Sequence, residues 1–467
     1  MKSLELKPTK ENLLNMFLQD SIGRNEEIFY FIDLLNSINT NYAISLDAQW
    51  GSGKTFFLKQ VKMVLDSYNN INELTQEDIT KIHNEIDKMK RVNGEINIEP
   101  CFSFYYDAWE NDNDEDPIIS LIYNIYINSS NYFEFDDFKD KLFKAGKIFG
   151  SIFEIFSGRN INVLIENLEN IDKFDTIFQE QKNQKSIKEK IGEFLNTLIE
   201  DDKRVIIFID ELDRCKPSFA VKLLERIKHY FDNDKIIFVF SVNFLELQHT
   251  IKNYYGDNLN ASKYMDRFFD LHLSLVDINK EKYFKLIGFS ERGYVIDNIC
   301  KAIINYCGFE LREINKFYYL TKAASLKINR IIKDGFSDEN TLKFCINYVV
   351  PIIIGLRMYD INIYNSVING RNSQTFVEIF TKQDFLNVLN KNIFLNENET
   401  YNNGTNELEH VNIKDKINQL YKILFVKEYS NMNLKNLGKL EFNEFIIKEM
   451  NKAASFMSMY ADYKRNN

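Results

Sequence analysis

The stretch AQWGSGKTFFL begins at Ala48 and contains residue types that bind phosphate at a characteristic spacing. Gly53, Lys54 and Thr55 match the pattern G-x-x-x-x-G-K-[ST], and Ala48 replaces its leading glycine. In such a loop, backbone amides wrap the phosphates, the lysine neutralises the β- and γ-oxygens, and the threonine offers a hydroxyl to Mg²⁺. Ala48 adds only a methyl group, and Gly51 retains backbone freedom. The pattern predicts an ATP site formed by Trp50, Gly51, Ser52, Gly53, Lys54, Thr55 and Phe56.

A pair of carboxylates follows an apolar run in RVIIFIDELDRC, residues 204–215. A strand ending there would place Asp210 beside Mg²⁺, with Thr55 as the other protein ligand. Glu211 would orient and polarise the attacking water, since catalysis of ATP hydrolysis is mainly positioning and electrostatics. Asn243 ends the run KIIFVFSVN and would either reach the γ-phosphate or cap the next helix.

The segments around these residues have the periodicity of strands and helices. NYAISLD, residues 41–47, reads as a buried strand, and FFLKQVKMVLDSY after the loop has helical apolar spacing. Strand, loop and helix are the context that a phosphate-binding loop requires. We predict an α/β P-loop core with a parallel sheet, of the class with an additional strand between the loop strand and the acidic strand. We assign that strand to IEPCFSFYYDAW, residues 98–109.

Composition limits the other possibilities. The chain has 467 residues, of which 45% are hydrophobic, so it can bury a large core. Its five cysteines are widely spaced and no basic, apolar leader is visible, which predicts a reduced, cytoplasmic protein. The five histidines are equally scattered, which argues against zinc.

Direct contact with nucleic acid stays open. The formal charge of −10 argues against a surface that coats nucleic acid, although a local basic groove can exist on an acidic protein. The 39 phenylalanines and 25 tyrosines could stack on single strands. Most of these rings fall at apolar-periodic positions, which favours core packing.

Two apolar segments raise the question of membrane contact. FCINYVVPIIIGL, residues 344–356, is shorter than the ~20 residues that a bilayer needs, so we predict a buried helix and no transmembrane segment. KAGKIFGSIFEIFSG, residues 144–158, carries Lys147 and Glu154 within its apolar pattern. It predicts an amphipathic helix that packs on its own domain or, alternatively, contacts a membrane surface.

Several segments together resemble the successive motifs of the KAP family of P-loop NTPases. They are QWGSGKT, FYYDAWENDNDEDPIISL, VIIFIDELDRCKPSFAVKLLERIKHYF, IIFVFSVNFLELQHTIKNYYG and YMDRFFDLHLSL. The resemblance covers residues 21–275, with weaker similarity to residue 357. Its most specific parts are Trp50 in the loop, the D-A-W that ends at Trp109, and the L-D-R-C of residues 212–215.

The chain also departs from the family pattern. The family usually has glycine at Ala48, asparagine at Asp107, and aspartate at Glu211 and Asn243. These departures bear on turnover more than on nucleotide binding. Many bacterial members carry transmembrane helices between the loop and the acidic strand, whereas this chain has a polar helical insert at residues 111–203, which resembles a soluble branch.

The resemblance extends to residues outside the main motifs. SIGRNEE, residues 21–27, is similar to the segment that lies against adenine in related ATPases, which implies Gly23 and Arg24 as contacts. The alternative is a helix N-terminal turn. Arg312 in FELREINKFYYL resembles the arginine of a lid that senses nucleotide, and the alternative is a solvated helix charge.

Arg267 in YMDRFFD occupies a position where the family often has a basic residue. The resemblance implies a side chain that approaches the γ-phosphate of a neighbouring subunit. The alternative is a surface ion pair with Asp266 or Asp270.

These features predict five regions along the chain. They are a helical lead-in (1–40), the core (41–110 and 204–276), a helical insertion (111–203), a helical lid (277–350) and an all-α C-terminal domain (351–467). Within the last, residues 396–410 have too little apolar content to pack and predict a mobile loop, and 413–462 predict further helix.

The expected function is Mg-ATP binding and hydrolysis that drives a switch or a motor. A protein effector encoded nearby is the expected partner, together with a nucleotide-dependent homo-oligomer. Since relatives occur in anti-phage defence loci, the resemblance implies bacterial antiviral defence. The alternatives are a nucleotide-gated scaffold with little turnover and a peripheral membrane organiser.

Overall fold

A computed structural model of the chain describes most of its length. The described residues are 7–69, 74–132, 135–157, 180–198, 203–231, 233–290, 294–333, 339–394, 413–426 and 435–454. The chain forms two compact units, Lys7–Tyr283 and a second that begins at Phe284.

The first unit is built on a five-stranded parallel sheet. Its strands are β1 (Tyr42–Asp47), β2 (Cys101–Asp107), β3 (Arg204–Asp210), β4 (Ile236–Val242) and β5 (Leu271–Ser274). The central strands are apolar almost throughout because helices cover both faces of the sheet. Alternate residues pack into two separate cores: Ile207 of β3 lies in one, and its neighbours Ile206 and Phe208 lie in the other.

The strand order is β2-β3-β4-β1-β5. An additional strand separates the loop strand β1 from the acidic strand β3, as the sequence predicts. Its assignment to residues 98–109 is wrong: those residues form the edge strand β2, whereas β4 is the intervening strand. The order of strands depends on how each crossover helix packs, and the order along the chain does not reveal it.

Helices of the first unit precede, connect and follow the strands. They are Lys10–Leu18, Asn25–Ser37, Lys54–Ser67, Gln76–Asn93, Pro117–Asn128, Phe135–Ser157, Glu180–Leu198, Pro217–Tyr230, Phe244–Tyr255 and Ala261–Met265, with short 3₁₀ turns at Ser129–Tyr132 and Leu212–Arg214. Helix Lys280–Ile287 spans the division between the units.

Residues 144–157 of the amphipathic segment predicted at 144–158 lie in helix Phe135–Ser157, and residue 158 lies outside the described residues. Ala145 and Ile152 are fully buried, and the ring of Phe149 stacks on that of Tyr126 with 6.0 Å between centroids. These contacts support packing on its own domain, the first of the two alternatives.

The second unit is mainly helical. Its helices are Val295–Cys307, Leu311–Lys333, Glu339–Phe344, Val350–Tyr359, Ile361–Ile368, Ser373–Thr381, Gln383–Val388, Ile413–Phe425 and Glu444–Ala454, with a π-helical turn at Cys345–Val349 and a 3₁₀ turn at Lys391–Phe394. The predicted mobile loop at 396–410 lies outside the described residues.

The helical region predicted from residue 413 towards residue 462 contains two helices and also two short strands. A two-stranded antiparallel hairpin, β6 (Lys435–Leu437) and β7 (Leu440–Phe442), lies between the last two helices. Gly438 makes its turn with φ of +60°, and a Cβ there would lie 2.4 Å from the carbonyl carbon of Phe394. This backbone conformation and close approach favour glycine at the turn.

One helical run, Glu339–Tyr359, is long and apolar enough to cross a membrane. Within its most apolar window, 78% is buried inside the protein. A core helix of a folded domain passes the same test of length and composition. The burial supports the buried helix predicted at 344–356.

Candidate nucleotide-binding site

The phosphate-binding loop joins β1 to helix Lys54–Ser67. Gly51 and Gly53 have φ of +87° and +91°, conformations that glycine adopts without strain. Phe57 and Val61 are buried and anchor the helix on the sheet. The N-terminus of the helix, with its unpaired amides and positive dipole end, therefore opens onto the loop, which is the geometry that binds anions.

Lys54 lies inside this loop with only 7% of its surface exposed. Its Nζ donates to the carbonyl oxygens of Ala48 at 2.5 Å and Gln49 at 3.3 Å. Burial lowers the pKa of Lys54, and the carboxylates of Asp213 and Asp210 oppose that shift. The loop therefore holds an ammonium group that can turn from backbone carbonyls to a phosphate.

Ser52 provides a further sign that the loop fits an anion. Its Oγ is buried and has no hydrogen-bond partner within the described part of the chain. A buried polar atom without a partner is costly unless a ligand or water satisfies it.

Asp210 ends β3 and is completely buried. Its Oδ2 accepts hydrogen bonds from the Thr55 hydroxyl at 2.6 Å and the Tyr105 hydroxyl at 2.9 Å, and its Oδ1 accepts from the Glu211 amide at 3.0 Å. Thr55 and Asp210 are thus brought together from positions 155 residues apart in the sequence, as the Mg²⁺ prediction requires.

The donor set of this pair suits Mg²⁺. Among the residues that the structure describes, no group of three or more His, Cys, Asp or Glu could hold a metal by itself. Mg²⁺ usually keeps several waters and binds through one or two protein ligands together with substrate phosphates. One carboxylate and one hydroxyl therefore fit it.

Glu211 follows Asp210 in a left-handed conformation, with φ of +60°. Few residues other than glycine adopt this conformation without strain. Its carboxylate pairs with the guanidinium of Arg214. Burial, followed by the neighbouring Asp210 carboxylate, raises the pKa of Glu211 to about 7, although Arg214 acts to lower it. The carboxylate is thus held beside the Thr55–Asp210 pair at a pKa suited to proton transfer near neutral pH.

Asn243 lies just beyond β4 and caps helix Phe244–Tyr255, since its side chain accepts from the Glu246 amide at 3.4 Å. Because β4 pairs with both β1 and β3, this cap also lies at the sheet edge that carries Asp47 and Asp210. The capping alternative is therefore observed, and a role toward the γ-phosphate stays a prediction.

Arg24 is the largest fully buried side chain of the chain's described residues, at 1% exposure. Its guanidinium donates to the carbonyl oxygens of Ser52 at 2.9 Å and Val276 at 2.7 Å. It occupies the N-cap position of helix Asn25–Ser37, as the alternative of a helix N-terminal turn predicts. Gly23 precedes it with φ of +71°, and a Cβ there would lie 2.7 Å from that of Asn279. Arg24 therefore stabilises the phosphate-binding loop through its hydrogen bond to the loop backbone. Contact between Arg24 and adenine stays a prediction.

The two outlying arginines differ in their surroundings. Arg267 is exposed after helix Ala261–Met265. Within the described ranges, its neighbours pair elsewhere: Asp266 with His272 at 3.5 Å and Asp270 with Lys228 at 3.8 Å. Among the residues that the structure describes, no ion pair joins Arg267 to Asp266 or Asp270, so that alternative is not supported. Arg312 is exposed in the first turn of Leu311–Lys333 in the second unit, and its predicted role is untested.

Several residues at this sheet edge were not predicted as part of the site. Tyr105 donates to Asp210 from the edge strand β2, and Asp213 accepts from the Trp50 indole at 2.5 Å. Arg214 contacts Glu211. The L-D-R-C and D-A-W motifs marked this neighbourhood, but the pairing of β2 with β3 was needed to bring Tyr105 to Asp210.

Fold and site together define a P-loop NTPase of the additional-strand class. The family model described as the KAP family P-loop domain matches residues 24–286, more than half of the chain. The chain belongs to the KAP family of P-loop NTPases. A comparison with curated proteins finds no match.

Proposed function

We propose that this protein is a Mg-ATPase whose nucleotide state switches its conformation or its assembly with a protein partner. The hydrogen bond of 2.6 Å between Thr55 Oγ1 and Asp210 Oδ2 carries the proposal. It unites the end of the phosphate-binding loop with the end of the acidic strand, and these are the two protein ligands that Mg²⁺ would use. Family membership supports nucleotide binding, which P-loop NTPases share.

Each residue has a distinct task in this proposal. The loop amides and Lys54 hold the phosphates, and Thr55 and Asp210 hold Mg²⁺. Bound Mg²⁺ supplies positive charge to the phosphate oxygens. Glu211 accepts a proton from the attacking water, for which burial has raised its pKa. Lys54 and Arg214 are the basic side chains of the described site, beside the carboxylates of Asp210, Glu211 and Asp213.

Glu211→Gln tests turnover separately from binding. The variant should bind Mg-ATP with the parent's affinity and hydrolyse it about 10²- to 10⁴-fold more slowly, the usual contribution of a positioned general base. Binding is measured by thermal shift or calorimetry, and turnover by phosphate release. Hydrolysis at the parent's rate would remove Glu211 from the mechanism.

The same measurements distinguish the scaffold alternative. A parent protein that binds Mg-ATP, changes its assembly state and releases no phosphate would act by binding alone. The strained, left-handed backbone of Glu211 and its pairing with Arg214 favour turnover, because a fixed carboxylate is what a general base requires. An effector encoded nearby and a role in antiviral defence remain parts of this proposal, and co-purification with neighbouring gene products tests them.

A further inference from the structure

Two indole rings lie against one guanidinium beside the candidate site. The Cζ of Arg214 lies 5.6 Å from the centroid of the Trp50 ring and 5.4 Å from that of the Trp109 ring. Arginine stacks on aromatic faces because its guanidinium is planar and weakly hydrated. These three residues, which we call the indole clamp, come from the loops that follow β1, β2 and β3.

Further contacts tie the indole clamp to the candidate site. The guanidinium of Arg214 forms an ion pair with Glu211. The Trp50 indole donates to Asp213 at 2.5 Å, and the Ala108 amide, next to Trp109, donates to the Asp210 carbonyl at 3.0 Å. Each member of the clamp is therefore attached to the segment that carries the proposed water-activating carboxylate.

Exposure of the two rings is unusual for tryptophan. Trp50 is 44% exposed and Trp109 is 51% exposed, whereas the side chain of Arg214 between them is only 20% exposed. Core packing therefore does not explain the rings. They cover the arginine, which leaves its Nε directed to Glu211.

We propose that Arg214 is a positioning residue that holds Glu211 for catalysis, and that the indoles of Trp50 and Trp109 hold Arg214. The inference rests on the proposed ATPase function. Since Trp50 belongs to the phosphate-binding loop, occupation of that loop is coupled to the placement of Glu211 through the indole clamp.

Arg214→Ala is the direct test. It should lower kcat for Mg-ATP at least about tenfold and leave KM within about twofold. The loss is only a part of the ~10²- to 10⁴-fold that a general base contributes, because Glu211 is still present. Arg214→Lys should be intermediate, because it keeps a charge and loses the planar fork. Lys216→Ala is the matched control: this exposed lysine lies two residues on and contacts Asp112 and Asn113.

Trp109→Ala is a second test that remains informative if the arginine variants misfold. Half of the Trp109 side chain is exposed, so its removal should disturb folding little. It should lower kcat severalfold at unchanged KM. A kcat at the parent's level in both Arg214→Ala and Trp109→Ala would overturn the inference. A higher kcat in Arg214→Ala would do so too, because Arg214 would then restrain Glu211.

Fluorescence provides a readout that does not depend on turnover. Trp50 and Trp109 are the only tryptophans in the sequence, so emission excited selectively in tryptophan reports on these two members of the indole clamp. Arg214→Ala should change the intensity or wavelength of emission in nucleotide-free protein, and Lys216→Ala should not. Identical spectra for Arg214→Ala and parent would contradict the clamp.

Failure of the inference can be distinguished from failure of the proposed function. Absence of phosphate release in the parent would count against the ATPase. Parent turnover that survives Arg214→Ala, with Glu211→Gln inactive, would count against the role of Arg214 alone.

Discussion

Two buried aspartates, one in each unit, differ in the partners that surround their carboxylates. Asp297 in the second unit is 1% exposed and forms an ion pair of 2.8 Å with Lys322; it also accepts from the Ser290 amide at 2.8 Å. Asp210 in the first unit is fully buried, and its partners are two hydroxyls and one amide. Within the described ranges, it has no ion-pair partner.

The difference is the one that we expect between a structural carboxylate and a carboxylate that binds a cation. A buried charge needs a counter-charge as well as hydrogen bonds. Asp297 has its counter-charge in the protein. Asp210 has neutral donors in hydrogen-bond contact, with the Lys54 ammonium and further carboxylates nearby. This arrangement supports the proposal that a bound cation adds to its counter-charge. Variants at and around the two aspartates can break or sharpen this comparison.

Among the variants in this comparison, Arg267→Ala should have the largest effect. The site contains several carboxylates, and it needs positive charge beside the negatively charged phosphoryl group that is transferred. If Arg267 supplies it to a neighbouring subunit, the variant should bind Mg-ATP normally and lose ~10³-fold in turnover. Phosphate release measures the loss, and Lys263→Ala, on the preceding short helix, is the control.

Mixing experiments test the subunit arrangement of that prediction. Arg267→Ala and Lys54→Ala chains together should recover some activity, because one offers an intact pocket and the other an intact arginine. Turnover by the parent should rise more than linearly with protein concentration. Strict proportionality in a protein that stays monomeric with ATP would rule out supply in trans.

Lys54→Ala should abolish stabilisation by Mg-ATP. Ligand at ~100 times its Kd stabilises the folded state by about 2.7 kcal/mol, and this increment should disappear with the ammonium group. Thermal shift with and without Mg-ATP measures it. Lys88→Ala, on the exposed face of helix Gln76–Asn93, should keep the parent's shift. An equal shift in Lys54→Ala and parent would place any nucleotide elsewhere.

Asp210→Asn and Asp297→Asn form the closest comparison, since each substitution keeps the shape and removes the charge. Asp210→Asn should lose the part of the ATP-dependent shift that EDTA abolishes in the parent. Asp297→Asn should lower the melting temperature and keep the ATP- and Mg²⁺-dependent increments. If both variants lose the Mg²⁺-dependent increment equally, the assignment of Asp210 as a Mg²⁺ ligand is contradicted.

Lys322→Met should have the smallest effect, confined to stability. It leaves Asp297 buried without its counter-charge, but Lys322 is 39% exposed and water can replace part of its role. We expect a loss of about 2 kcal/mol in the free energy of unfolding, measured by denaturant titration. The double variant with Asp297→Asn should lose less than the sum of the single variants, since they share one interaction. Simple additivity would argue against that pair.

Local residue patterns sufficed to predict which segments meet at the candidate site. G-S-G-K-T between a strand and a helix, and D-E after a buried strand, predicted the phosphate-binding loop and the carboxylates, and the structure brings Thr55 and Asp210 together. Such motifs are readable because a helix N-terminus and a strand end are local features whose geometry follows from a few residues.

The sequence by itself determined the additional-strand P-loop core and the family. Only the tertiary structure decided which strand intervenes, where the hairpin at Gly438 interrupts the last helices, and what surrounds the candidate site. Strand pairing and packing bring together residues that are far apart in sequence. Examples are the contacts of Tyr105 with Asp210, of Arg24 with the phosphate-binding loop, and within the indole clamp. No short sequence pattern predicts such contacts, because they depend on the spatial order of the strands, which is set by the connections between them.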